Sequence, residues 1–153
     1  FNLHPSLLPK YRGCSSLTWA MIEGEKEVGF TYHYIDEGCD TGDIILQGKI
    51  LVEDFDTQQT LYMRVMFESM KKFNKAFYHV IEGLKGRKQE GKSSYYRRGC
   101  PYNGQIDLGW NVAYKNNFIR SMIFPPYPVA KVGEREIFFD YDLDDVKQSS
   151  KKE

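Results

Sequence analysis

Phe1-Asn2-Leu3-His4-Pro5-Ser6-Leu7-Leu8-Pro9-Lys10-Tyr11-Arg12-Gly13 opens the chain, and the rest is placed around its reading. Residues 1–4 read as the tail of a strand, cut off by Pro5 and then Pro9. Residues 5–13 read as a punctuated loop ending on glycine. Asn2 and His4 stand at i and i+2, so in an extended segment both side chains leave the same face. They sit at the C-terminal end of that strand, where open α/β sheets gather their ligands.

Downstream, Ser15-Ser16 supply an N-cap for a short helix to about Glu23, with Leu17, Ala20 and Met21 at helical spacing. Val28–Ile35 is rich in β-branched and aromatic residues and reads as a strand. Asp36-Glu37-Gly38-Cys39-Asp40-Thr41-Gly42 is a polar loop, and Ile44–Val52 gives a second strand. Asp56, with Gln59 three residues on, has the form of a capping box. It starts the strongest helix signal, which runs to about Leu84. Its stripe of Leu61, Val65, Met66, Phe73, Phe77, Val80, Ile81 and Leu84 is expected to be core. The Gly- and Lys/Arg-rich segment 83–91 breaks the pattern. A short strand at Tyr95-Tyr96, a turn at 101–104 and a helix over Val112–Met122 follow. Pro125, Pro126 and Pro128 stop that helix. Segments 129–132 and 136–139 flank Gly133 as a hairpin, and 147–153 is expected to be a frayed polar tail. The sum is an α/β core with a small β-rich appendage.

The chain has 153 residues, the ordinary size of one domain, with hydrophobic residues at 41% and aromatics at 15%. That is too much apolar material for a disordered chain. Lys+Arg and Asp+Glu balance at 21 each, which removes the basicity of a dedicated nucleic-acid binder. No apolar run approaches the ~18 residues of a membrane span. Cys14, Cys39 and Cys100 are odd in number and lack CxxC spacing, so neither a disulfide framework nor a cysteine zinc site is expected and a reducing, cytoplasmic setting fits. With His4, His33 and His79, they show no metal-ligand spacing. His33 and His79 read as structural, Cys39 as a small buried filler.

Asn2, His4 and Asp40 stand out as candidates to carry chemistry. An amide N–H polarises a carbonyl and holds developing oxyanion charge. An imidazole shuttles protons, and a carboxylate orients or charges the imidazole. Together they suit acyl transfer to an amine. Taken singly, an Asn at a strand end is more often a turn residue, and a lone His more often structural.

The surrounding words are more specific. Residues 2–13 fit the pattern N-x-H-x-S-L-L-P-x-x-x-G, and Asp36–Asp43 followed by Ile44-Ile45-Leu46-Gln47 forms a second motif. The pair resembles the signatures of the folate-dependent formyltransferases over most of the chain, to about Phe139. The resemblance implies a Rossmann-like fold with a mostly parallel sheet and flanking helices. It implies that Asn2 and His4 bind the formyl oxygen and the tetrahedral intermediate, while Asp40 sets the protonation of His4 and assists proton removal from the amine. It sets the pterin of 10-formyl-tetrahydrofolate, the formyl donor, against Asp36, Glu37, Gly38, Cys39 and Asp40. No metal is implied.

Trp19, Gly24-Glu25, Gly29, the Tyr95–Arg98 tract, Asn103-Gly104, Trp110 and Arg120 resemble the branch of amino-sugar and methionyl-tRNA formyltransferases, together with the hydrolase domain of 10-formyltetrahydrofolate dehydrogenase. Too few residues follow Pro128 for the tRNA enzymes' C-terminal barrel, so an amino-sugar nucleotide is the favoured acceptor. The cationic cluster Lys85, Arg87, Lys88, Lys92, Arg97 and Arg98 reads as a solvated loop or, less simply, as a phosphate contact. Tyr95, Arg97 and Arg120 are candidates to face the acceptor. The competing readings are a tRNA formyltransferase, a hydrolase-type domain, and a binding module without turnover. A homodimer is open by analogy with relatives. The same analogy puts several strand–helix units ahead of the Asn-x-His strand. Residues 1–92 are therefore expected to be the C-terminal part of the catalytic domain, with 93–146 a short extension of helix and hairpin. The isolated 153 residues are expected to be inactive.

Overall fold

The computed structural model describes residues 1–149. Its strands are β1 (Asn2–His4), β2 (Arg12–Gly13), β3 (Glu27–His33), β4 (Ile44–Leu51), β5 (Tyr95–Tyr96), β6 (Ala130–Val132) and β7 (Arg135–Ile137). Its helices are α1 (Ser16–Ile22), α2 (Gln58–Ile81), α3 (Val112–Ser121) and α4 (Asp142–Ser149), with a single 3-10 turn at Pro101–Gly104. Among the described residues no helix is long and apolar enough to cross a membrane.

The chain is α/β, but the expected mostly parallel sheet is not what these strands build. The main sheet has the order β1-β3-β4, and both of its pairings are antiparallel. The connection from β3 to β4 spans only residues 34–43, too short for the crossover that parallel neighbours require. β3 therefore turns back on itself, and β4 lies alongside it. The parallel pairing that does occur is small, β2 with β5, where Arg12 faces Tyr95 and Gly13 faces Tyr96. The C-terminal part carries the β6–β7 hairpin, yet it holds more helix than strand, so it is not the β-rich extension expected. The chain is helical through Ser149, so the frayed tail expected from 147 does not begin there; positions 150–153 lie outside the described residues.

β3 is buried along nearly its whole length, which explains its run of Val28, Phe30, Tyr32. These residues pack with Leu17, Ala20, Met21, Leu61, Val65 and Ala76 from α1 and α2. A second cluster gathers Ile22, Phe118, Ile119, Ala130 and Ile137, and Trp19 touches both. Burial of such side chains contributes about 1.5–3 kcal/mol each.

α2 departs from its expected pattern at both ends. The N-cap is Thr57, not Asp56: the Thr57 side chain accepts the Thr60 amide, and the Thr60 hydroxyl takes the Thr57 amide in return. Asp56 is instead fully buried one residue earlier. It accepts the Glu53 amide at 2.9 Å, the Thr60 hydroxyl at 2.9 Å and the Arg64 guanidinium. Further along, only Leu61, Val65, Ser69 and Ala76 are buried. Phe73, Phe77, Ile81 and Leu84 are exposed, so the second half of the stripe is not core. The sheet under α2 is three short strands wide, and one helix face suffices to cover it. Phe1, Tyr32 and Phe73 meet there as an aromatic group, with ring centroids 6.1–6.4 Å apart.

Gly13 is fixed by close approach. It has φ of +85°, and a Cβ there would lie 2.2 Å from the Tyr96 carbonyl oxygen. Gly13→Ala is expected to unpair β2 from β5 and destabilise the fold by about 1–3 kcal/mol. Asp56→Ala strands Arg64 and two donors and is expected to cost on the order of 3 kcal/mol. Urea unfolding of each variant against the wild type reads both, and unchanged midpoints would contradict them.

Candidate active site

Antiparallel pairing gathers the site. β1 lies against the last residues of β3, with Asn2 opposite His33 and His4 opposite Thr31. The loop after β3 then carries Asp40 back over the same edge. The structure brings together all three side chains singled out in the sequence, and adds a fourth, His33.

Asp40 is the centre. Its Oδ2 accepts the Gly13 amide at 2.8 Å and lies 3.6 Å from Nδ1 of His4. Its Oδ1 lies 3.6 Å from Nε2 of His33. Asp40 has φ of +55°, a left-handed backbone that carries strain for a residue with a Cβ. The loop holds it there: Gln89 Nε2 donates at 2.8 Å to the carbonyls of both Asp40 and Gly42. Gly42 packs so tightly that a Cβ would lie 1.8 Å from the Tyr34 carbonyl oxygen.

Each imidazole is oriented by a backbone carbonyl. His4 is buried, and its Nε2 donates to the Tyr11 carbonyl at 2.7 Å. Neutral His4 therefore presents an unprotonated Nδ1 to Asp40. His33, 3% exposed, donates from Nδ1 to the Tyr34 carbonyl at 2.8 Å. Its Nε2 is 3.3 Å from Nδ2 of Asn2. Burial pushes the His33 pKa down, against the opposing pull of the Tyr34 carbonyl and the Asp40 carboxylate. His33 stays neutral to lower pH than a free imidazole. In the sequence it read as a structural residue, because its place opposite Asn2 depends on strand register.

The 36–40 loop is preformed. Asp36 Oδ1 accepts the Thr41 hydroxyl at 2.6 Å and the Gly38 amide at 3.1 Å, and these bonds lower its pKa. The Gly38 amide is thus used inside the loop, while Glu37, Gly38 and Cys39 are exposed. Cys39 is not the buried filler expected of it, and Cys100 is exposed too. Desolvation and then the Asp40 charge raise the Cys39 pKa, so no thiolate nucleophile is prepared there. Tyr95, a candidate to face the acceptor, sits within hydrogen-bond reach of that thiol and packs on Gly13. Arg120 is elsewhere: it binds the carbonyls of Glu53 and Asp56 and ties α3 to the start of α2. The cationic segment 85–98 is partly pinned, with Arg87 bridged to Ile44 and Lys88 paired to Asp43 at 3.1 Å.

An amide, two imidazoles and a carboxylate thus meet at one sheet edge, with backbone donors already committed around them. The arrangement can polarise a carbonyl oxygen and accept a proton from an adjacent amine.

Comparison with known proteins is consistent with that chemistry. The chain is 46% identical over 129 residues to the GDP-perosamine N-formyltransferase of Brucella melitensis biotype 1, covering 84% of this chain and 50% of that protein. The chain thus spans about half the length of this relative. The crystal structure of WlaRD, a sugar 3N-formyl transferase in the presence of dTDP and 5-N-formyl-THF, superposes with a TM-score of 0.81 at 32% identity, covering 90% of this chain and 52% of that one. The N-formyltransferase of Helicobacter canadensis, in complex with folinic acid and dTDP-3-aminofucose, gives a TM-score of 0.81 at 31% identity over the same shares, 90% and 52%. The formyl transferase family model matches residues 1–77, and with it this chain belongs to the formyl transferase family.

Proposed function

We propose that the protein transfers a formyl group from 10-formyl-tetrahydrofolate to the amine of an amino-sugar nucleotide. The observation that carries this reading is the convergence of His4 and His33 on the Asp40 carboxylate, with Asn2 hydrogen-bonded to His33 beside it. The folate supplies the activated formyl group. In this reading Asn2 donates an N–H to the formyl oxygen as negative charge builds on it. His4 lies beside it, with Nδ1 turned to Asp40. The attacking amine must lose a proton, and the His4–Asp40 pair receives it. His4 then holds the charge as an imidazolium beside the carboxylate. When the tetrahedral intermediate collapses, the bond from the formyl carbon to N10 breaks and that proton passes to N10 of the departing tetrahydrofolate.

The preformed 36–40 loop fits the pterin, because its exposed backbone is already ordered and little entropy is lost on binding. The β2–β5 edge, with Gly13 and Tyr95, is the side proposed for the acceptor. Relatives of known structure support a nucleotide sugar as the acceptor: WlaRD was crystallised with dTDP and the Helicobacter canadensis enzyme with dTDP-3-aminofucose. In the same reading residues 1–92 belong to the catalytic domain and 93–146 form an extension. Three free cysteines fit a cytoplasmic setting.

His4→Ala and Asp40→Asn in the intact protein are each expected to lower kcat by 10²–10⁴-fold while circular dichroism stays unchanged. Retained turnover in both would sink the assignment. Substrate class is read by offering GDP-, dTDP- and UDP-linked amino sugars, charged initiator tRNA and water with 10-formyl-tetrahydrofolate. Formylation of a sugar amine is expected; formyl-methionyl-tRNA or bare hydrolysis as the dominant product would replace it.

A further inference from the structure

We infer that His33 is a positioning residue that locks the Asn2 carboxamide with its NH2 group turned into the site. The inference rests on the formyl-transfer reading and adds to it a residue outside the Asn2–His4–Asp40 trio.

The Tyr34 carbonyl can only accept, so Nδ1 of His33 carries the proton. In the neutral ring Nε2 is then a bare acceptor. The group 3.3 Å from it is Nδ2 of Asn2, which can only donate. One amide N–H is consumed by this bond, and the second stays free for an oxygen that gains negative charge. Without His33 the exposed Asn2 side chain can rotate by 180° about its terminal bond, whose two orientations differ little in intrinsic energy. Half of its population would then present Oδ1, an acceptor facing a developing oxyanion. That orientation repels the charge it is meant to hold.

The groups around the ring support the neutral form. Asn2 and His4 approach from β1, Asp36 and Asp40 from the loop after β3, and Ile44 pairs with His33 from β4 without charge. A protonated Nε2 would instead donate to Oδ1 of Asp40, 3.6 Å away, and release Asn2. Burial depresses the His33 pKa and so keeps the acceptor available. The contribution to stability has a definite sign. Above about pH 6.5 both folded and unfolded chains hold a neutral ring. As pH falls below that value the unfolded state binds the proton first, so this part of the stability is lost in acid.

The test uses the intact protein with His33→Phe and His33→Gln. Phe fills the space without an acceptor; Gln carries an amide oxygen that reaches about as far as Nε2. His33→Phe is expected to lower kcat about 100-fold, with KM for donor and acceptor changed less than about 3-fold. His33→Gln is expected to recover most of that loss. A residue that merely supports the fold would move thermal stability without this split and without rescue. Nitrogen-15 NMR of the wild type is expected to show a protonated Nδ1 and bare Nε2 on His33, with a shifted Asn2 side-chain NH2 that returns to its free position in His33→Phe. An Nε2–H tautomer, or a His33→Phe variant with wild-type kcat, overturns the inference. A wild type that transfers no formyl group at all fails the functional reading instead, and the NMR readout distinguishes that case because it needs no turnover.

Discussion

The Asp40 carboxylate, held between two imidazoles and the Gly13 amide, is the constraint on which this site depends. It joins the two loops that the sequence separates by more than twenty residues: Gly13 closes the first motif, and Asp40 lies inside the second. The link is costly to make. Asp40 takes a left-handed backbone, and partial burial of a carboxylate carries a desolvation penalty. Both are offset locally. Gln89 binds the carbonyls on either side of Thr41, and Gly13, packed against the Tyr96 carbonyl where no Cβ would fit, donates its amide. Strain that persists in this way needs surroundings that over-determine it. Here two loops and one edge strand do so.

The same logic explains why a small sheet suffices to build the site. β1 is three residues long, and its pairing with β3 fixes Asn2, His4 and His33 on one edge. The rigidity of that edge comes from β3, which is buried against α1 and α2. The side chains proposed to act thus stand on short elements, while the hydrophobic free energy is collected one layer below.

What was legible in the sequence divides along this line. Asn2 and His4 on one face follow from the two-residue period of a strand, and the glycine-containing loop with Asp40 was recognisable as a motif. Elements with a local cause were found close to their bounds, including α1, β3, β4 and α3. Features with a non-local cause were not. Strand direction is set by the length of the 34–43 connection and by which edge stays free, so a parallel sheet was expected where an antiparallel one forms. The facing of His33 and Asn2 is a register property, invisible until the pairing is known. Asp56 looked like a cap because Asp caps helices, yet burial and Arg64 claim it and Thr57 takes the role. The stripe on α2 was readable as apolar, but periodicity does not state what covers a face; half of it is exposed here.

Hydrogen bonding to main-chain carbonyls narrows the proton chemistry beyond what residue types indicate. An imidazole in isolation offers either nitrogen as a base. In His4 the Tyr11 carbonyl takes the Nε2 proton, and in His33 the Tyr34 carbonyl takes the Nδ1 proton. In their neutral forms the two rings are therefore opposite tautomers, with Nδ1 of His4 turned toward Asp40 and Nε2 of His33 turned toward Asn2. A proton arriving at Nδ1 of His4 forms an ion pair with the carboxylate 3.6 Å away, whereas one arriving at Nε2 of His33 breaks the amide contact. In the proposed reaction two chemically identical side chains thus take unlike parts, His4 exchanging a proton and His33 refusing it. Burial of His33 disfavours its charged form and reinforces the division. The asymmetry resides in the backbone: two carbonyls, one just before β2 and one just after β3, decide which nitrogen each neutral histidine leaves bare.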